Sequence, residues 1–214
     1  PLRELSLTKV DQSRVMILSG KVDDASVDGL ITELYRIAKT PKKPAYLVID
    51  SPGGGVAAGF DFINMMLAVR AEFGLQVTCI ITGRAYSMAA IIQSFCTTTY
   101  ALRTASIMYH QATYGVTGTV SEIRKVVDFT EAQLQAYEVF LAEQLGISYE
   151  AYVDLRKDEL WMTAREAAHY GFIDGIVKSF YYEVVPKPPP PFFGIFGLIH
   201  RLQELTLWGF NVIH

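Results

Sequence analysis

Cysteine is scarce in this sequence, with only Cys79 and Cys96 among 214 residues. Both stand in apolar or threonine-rich runs without C-x-x-C spacing, which argues against a disulfide framework or a zinc cluster and for two buried, reduced thiols. An excess of charge of one sign is also missing. Nineteen Lys and Arg oppose 22 Asp and Glu, a net charge of −3, so a surface that holds nucleic acid by charge alone is excluded. No uninterrupted apolar run reaches the ~18 residues that suggest a membrane-spanning helix. The opening Pro1-Leu2-Arg3-Glu4 has neither an apolar h-region nor a small-residue cleavage site. A secretory signal is therefore not expected, and a cytoplasmic location is.

What is present is apolar and strongly patterned. Half of the residues are hydrophobic and 19% are charged, a composition that excludes a wholly disordered chain and can fill one core. Residues 14–19 read as a buried strand, and 23–26 start a helix with Val27, Leu30, Ile31, Leu34 and Ile37 at helical spacing. A short strand, 45–49, leads into Asp50-Ser51-Pro52-Gly53-Gly54-Gly55, read as a turn, and a helix over 56–73. A strand over 76–81, Gly83 and a helix from about Ser87 repeat the pattern. After a strand at 107–110 and a Gly/Thr-rich stretch at 113–119, a long helix is expected over 120–145. Its apolar stripe is Ile123, Val126, Val127, Leu134, Tyr137 and Leu141. Helical segments at 149–155 and 163–170 follow, the second with Thr163 as N-cap and Glu166 three residues on. Strands at 173–177 and 180–185 close the domain. Strand–helix repetition of this kind implies an α/β fold with a largely parallel sheet, whose ligand sites gather at the C-terminal ends of strands.

The domain is expected to span residues 1–185, followed by a stiff polyproline linker at 186–191 and an apolar tail at 192–214 that includes Phe196-Gly197-Leu198 and Trp208-Gly209-Phe210. So dense an apolar segment is expected to dock, on a neighbouring subunit, on a membrane surface or on its own domain.

Three segments carry candidate chemistry. Glycines 53–55 follow a strand, where backbone N–H groups can approach a ligand closely. Gly53, Gly55 and Ala58 also meet a loose dinucleotide fingerprint, although no Gly-Lys-Ser/Thr follows for a Walker loop. Ser87, in Gly83-Arg84-Ala85-Tyr86-Ser87-Met88, stands at a strand-to-helix turn, where a hydroxyl meets free N–H groups; it serves either as a simple N-cap or as a nucleophile. His110, in Met108-Tyr109-His110-Gln111, ends an apolar strand and is the candidate base that such a serine needs.

In this order these segments resemble the Clp protease proteolytic subunit (ClpP) family. The likeness rests on the Ser-Pro-Gly-Gly turn, the Gly-x-Ala-x-Ser-Met and Met-x-His-Gln segments, and the block Thr163-Ala164-Arg165-Glu166-Ala167-Ala168-His169-Tyr170-Gly171-Phe172-Ile173-Asp174. It covers about residues 14–178. The resemblance implies a ClpP/crotonase-like repeated β-β-α superhelix with a long handle helix at 120–145. It implies a serine endopeptidase with Ser87 as nucleophile, His110 as general base, and Gly54 and Met88 supplying oxyanion-hole N–H groups. The family's third member, an Asp, matches Glu159, with Asp158 one position early as the alternative. No metal or organic cofactor is implied. The implied partners are copies of the chain in stacked rings, a peptide or unfolded protein substrate, and an AAA+ unfoldase.

Two departures stand out. The family carries a longer segment before its first strand, with an axial loop, and Ala112 replaces its usual proline after His-Gln. Three alternatives follow: a non-catalytic ring subunit, a membrane-associated Ser-Lys peptidase using Lys125, and a crotonase-type acyl-CoA enzyme.

Overall fold

Asp23 begins the first helix by accepting a hydrogen bond from the backbone N–H of Ser26, whose hydroxyl in turn accepts from the Asp23 N–H. Such reciprocal caps, with left-handed glycines at helix ends, divide the chain cleanly. The computed structural model describes residues 4–5 and 8–183. In chain order the elements are β1 (Glu4–Leu5), β2 (Thr8–Asp11), β3 (Val15–Val22), α1 (Asp24–Ala38), β4 (Ala45–Gly54) and α2 (Val56–Phe73). Next come β5 (Val77–Tyr86), α3 (Met88–Ser94), β6 (Thr98–Leu102), β7 (Ser106–Tyr109) and α4 (Val120–Leu145). The series ends with α5 (Tyr149–Lys157), β8 (Leu160–Thr163), α6 (Ala164–His169), β9 (Gly175–Val177) and β10 (Phe180–Glu183). The expected linker at 186–191 and tail at 192–214 lie outside the described residues.

The fold is mixed α/β, as expected. The main sheet runs β1-β9-β6-β5-β4-β3, all parallel. Its core is the face on which Leu47, Ile49, Val77 and Ile81 meet Phe62, Ile63 and Met66 of α2, all fully buried. Burying each such side chain stabilises the fold by about 1.5–3 kcal/mol. Helix α2 is buried on several faces because α1 and α3 pack against it. A small parallel pair, β2 with β10, forms a second sheet, and Val10 and Phe180 from it pack with Ile80 and Val177.

Register breaks recur at one level of the main sheet. The β3–β4 pairing shifts between Ser19 and Lys21, and the β4–β5 pairing shifts between Ile49 and Ser51. Above that level β5 leaves β6, which it joins at residues 78–81, and pairs instead with β7 at residues 84–86. Strand β8 then adds antiparallel to β7. Irregularities of this kind re-aim side chains, and here the same eight-stranded sheet branches at the end of β5, which carries β7 and then β8.

Three expectations are corrected. Ser51-Pro52-Gly53-Gly54 is the extended end of β4 and not a turn, and β5 likewise continues through Gly83 to Tyr86. Strands β2, β6 and β8 occupy segments that the sequence pattern leaves unassigned. Cys79 and Cys96 are joined by a disulfide and are not separate thiols. Cys79 is buried near the start of β5, and the chain leaving α3 folds back over it, bringing the Cα atoms to 6.0 Å, within bridging range.

Helix α4 has the expected bounds, with Thr119 and Glu122 forming a capping box and Gly146 closing it at φ 69°. Its 26 residues span about 39 Å. Only Leu141 and Ala142 are fully buried, whereas Val120 and Phe129 are 70% and 68% exposed. The expected stripe is thus a core contact only toward the C-terminal end. Among the described residues, no helix is long and apolar enough to cross a membrane.

Candidate active site

Ser87 sits where β5 passes into α3. Its backbone is at φ 53° and ψ −123°, a region that costs a residue with a Cβ about 1–3 kcal/mol. Neighbouring chain holds it there: the Ser87 N–H donates to Met108 O at 2.8 Å, beside the Tyr86–Met108 pairing of β5 and β7. His110 follows Met108 by two residues and so turns toward the same side of the strand. Its Nε2 lies 2.8 Å from Ser87 Oγ. With the serine hydroxyl donating, Nε2 is the acceptor and the ring proton sits on Nδ1, the state of a base ready to take the serine proton.

Gly53 makes this arrangement possible. At φ 88° it passes so close to the serine that an added Cβ would lie 2.5 Å from Tyr86 O, 2.7 Å from Ser87 Cβ and 2.9 Å from Met88 N. That contact accounts for the glycine. Gly55 is the N-cap of α2, and Ala58 is buried within that helix, so the loose dinucleotide fingerprint has a structural explanation. Ser51 is fully buried, with Oγ accepting from the Gly53 N–H at 3.1 Å, and takes no part in the exposed chemistry.

Ser87, His110, Gly54 and Met88 line one pocket of about 230 Å³. Met88 is the first residue of α3, so its N–H has no acceptor within the helix and is available to a developing oxyanion. The Met88 side chain packs over Gly59 of α2, where a Cβ would overlap it. Opposite, Phe60 and Tyr137 stack at 3.9 Å between ring centres and 7° between planes, closing an apolar wall. Glu138 faces the pocket from α4, held by Arg156 of α5: Arg156 Nε lies 2.7 Å from Oε1, and Nη2 donates to Oε2 at 3.0 Å. Both side chains are largely buried. Burial and the adjacent Glu138 carboxylate push the Tyr152 phenol, also in the lining, above its ordinary value, so it remains neutral.

Glu159 is not in the pocket lining. The β7–β8 pairing ends with Tyr109 opposite Leu160, so His110 and Glu159 are the next residues beyond it, and Gln111 and Asp158 the ones after. Glu159 is at φ 54°, and it and Ser87 are the described non-glycine residues with positive φ. Its Oε2 accepts from Trp161 Nε1 at 3.1 Å, while Trp161 meets Tyr86 edge-on at 5.1 Å. Among the described residues, no carboxylate is hydrogen-bonded to His110. Lys125, the base of the Ser-Lys alternative, is exposed on α4 and outside the lining. The Glu138–Arg156 pair escaped sequence reasoning, because nothing in their spacing shows that α5 folds back along α4.

The Clp protease family model matches residues 4–180. The chain belongs to the Clp protease family. It is 31% identical over 198 residues to an ATP-dependent Clp protease proteolytic subunit 3 of Rhodococcus jostii, covering 90% of this chain and 95% of that protein. It is 32% identical over 171 residues to an ATP-dependent Clp protease proteolytic subunit of Ligilactobacillus salivarius, covering 78% and 85%. A further proteolytic subunit 3, from Streptomyces coelicolor, is 31% identical over 169 residues, covering 78% of this chain and 76% of that protein. The fold accordingly is the ClpP/crotonase-like one, with α4 in the place of the handle helix.

Proposed function

We propose that the chain is a Clp-type serine endopeptidase that cleaves peptide bonds through an acyl-enzyme on Ser87. The observation that carries this reading is the 2.8 Å bond between Ser87 Oγ and His110 Nε2 at the mouth of an apolar pocket. His110 Nε2 takes the hydroxyl proton as Oγ bonds to the substrate carbonyl carbon. The N–H groups of Gly54 and Met88 receive the oxyanion. The tetrahedral species collapses as the imidazolium gives its proton to the leaving amine. Water, deprotonated by His110, then attacks the ester carbonyl, and Ser87 leaves with the proton restored. Glu159 is the third member. In this reading its carboxylate leaves Trp161 Nε1 and accepts from His110 Nδ1, which orients the imidazole and offsets its charge, reaching one methylene further than an aspartate.

The test is reaction with a fluorophosphonate, which phosphonylates an activated serine. Wild type labels, and Ser87→Ala and His110→Ala do not. Unimpaired labelling of either variant would refute the assignment.

One observation favours a second reading, that of a subunit with little activity of its own. Glu159 is exposed, and its carboxylate is bonded to Trp161 and not to His110. Wild type that assembles yet never labels would establish it.

Assembly belongs to the same proposal. The exposed Val120, Val126 and Phe129 on the N-terminal half of α4 are suited to a second copy, and the relatives are named as subunits of ATP-dependent proteases. We read the chain as a ring-forming, cytoplasmic peptidase served by an ATPase. Light scattering at monomer mass under all conditions would remove the ring.

A further inference from the structure

One buried polar cluster is not used by the chemistry above. Tyr109 precedes His110 and is 1% exposed. Its hydroxyl donates to Ala90 O at 3.1 Å, shares a 2.7 Å bond with Ser94 Oγ, and accepts from Gln93 Nε2 at 2.8 Å. All three partners lie on α3, the helix that begins immediately after Ser87. Ser94 Oγ also lies 3.0 Å from Ala90 O; the two hydroxyls carry one proton each, so one of them donates to Ala90 O while the other donates to its neighbour hydroxyl or to that same carbonyl. Gln93 Oε1 is buried and has no partner. Burial pushes the Tyr109 phenol up to about 12, so the hydroxyl keeps its proton throughout the working range.

The far end of α3 is held independently. Arg70 Nη1 donates to Phe95 O at 2.6 Å, Thr99 Oγ1 donates to Gln93 O at 3.0 Å, and Cys96 is tied to Cys79. The other end meets β7 through the Ser87 N–H bond to Met108 O, so a roll or slide of α3 between these ties is the motion that would change the gap between Ser87 Oγ and His110 Nε2. The Tyr109 hydroxyl bridges the two elements, one residue from His110 along β7 and, at Ala90, three residues from Ser87 along α3.

We infer that Tyr109, through Ser94 and Gln93, is a positioning residue that sets the Ser87–His110 distance. The inference rests on the peptidase reading and deepens it. The substitution Tyr109→Phe retains the ring and its packing on Phe172, 5.4 Å away between centres, but removes the hydroxyl's bonds to α3.

The test uses the full chain as wild type, Tyr109→Phe, Ser94→Ala and Ser87→Ala. Inactivation by a fluorophosphonate is followed against probe concentration at a temperature where thermal melts show every variant folded. A small shift in the reacting groups is enough to slow the maximal inactivation rate about tenfold in Tyr109→Phe and severalfold in Ser94→Ala. The half-saturating probe concentration stays within about twofold of wild type, because the pocket itself is untouched. A purely structural role lowers the melting temperature and leaves the maximal rate of the folded protein unchanged, which overturns the inference while the peptidase reading stands. Should Tyr109→Phe fail to fold, Ser94→Ala decides by the same split. Wild type that never labels, or Ser87→Ala that labels as well as wild type, overturns the peptidase reading and this inference with it.

Discussion

Gly53→Ala tests how closely the strand end and the nucleophile segment are fitted. At φ 88° an L side chain costs about 1–2 kcal/mol in backbone strain alone. The new Cβ would sit 2.5 Å from Tyr86 O, 2.7 Å from Ser87 Cβ and 2.9 Å from Met88 N. None of these atoms is the free end of a flexible side chain, so the end of β4 has to back away, and overpacking of this kind adds about 1–3 kcal/mol. The sum is about 2–5 kcal/mol, or roughly 5–15 °C of melting temperature for a chain of this size. The displaced segment carries Gly54 and presses on Met88, so the oxyanion donors and Ser87 shift together. Labelling of the folded protein should fall by about 100-fold, the loss expected for a misplacement near 1 Å. Gly74→Ala is the control. It has a similar positive φ of 66° with nothing within 4 Å of the new Cβ, so it should cost about 1 kcal/mol and leave labelling unchanged. Equal melting temperatures for the two variants, or full labelling by Gly53→Ala, would show that the close approach has been misread.

Ser87→Gly should abolish labelling yet raise the melting temperature by about 2–4 °C, because glycine takes φ 53° without strain; a lower melting temperature would contradict the strained turn. Glu138→Ala leaves Arg156 largely buried without its partner, at a cost of about 2–4 kcal/mol, and the double variant with Arg156→Met should recover part of it in chemical denaturation. No recovery would mean that the pair is not the connection between α4 and α5. Glu166 gives a pH signature. Bonds from the Thr163 N–H and then its hydroxyl hold the Glu166 carboxyl below its ordinary value of 4.5. The folded pKa is depressed, so this contribution is present above pH 4.5 and is lost as pH falls through the folded value. Melting curves of wild type and Glu166→Gln should differ at neutral pH and converge in acid; a constant difference would refute the cap.

Helices were the most legible part of the fold because their ends are chemically marked. The bounds of α2 and α4 agree with the sequence reading, and in the fold they are marked by Gly74, by Thr119 with Glu122, and by Gly146. Short strands were not. Four residues such as Leu160–Thr163 offer too little periodicity, and β8 exists because β7 is there to pair with it. The Pro and Gly residues of 52–54 mimic a turn, whereas in the fold they let an extended strand end pass under Ser87. The pairing of Ser87 with His110 was legible only through the order of familiar segments, since 23 residues separate them and β5–β7 pairing closes that distance. The Cys79–Cys96 link and the Tyr109 cluster depend wholly on how α3 folds back, which no local pattern records.

Ser87 as an activated nucleophile with His110 as its base is the centre of the proposed mechanism. The most direct measurement is mass spectrometry of the fluorophosphonate adduct across wild type, Ser87→Ala and His110→Ala. An adduct mapped to Ser87 in wild type and absent from both variants is the predicted result. An adduct on another residue, or undiminished modification of Ser87 without His110, would contradict it.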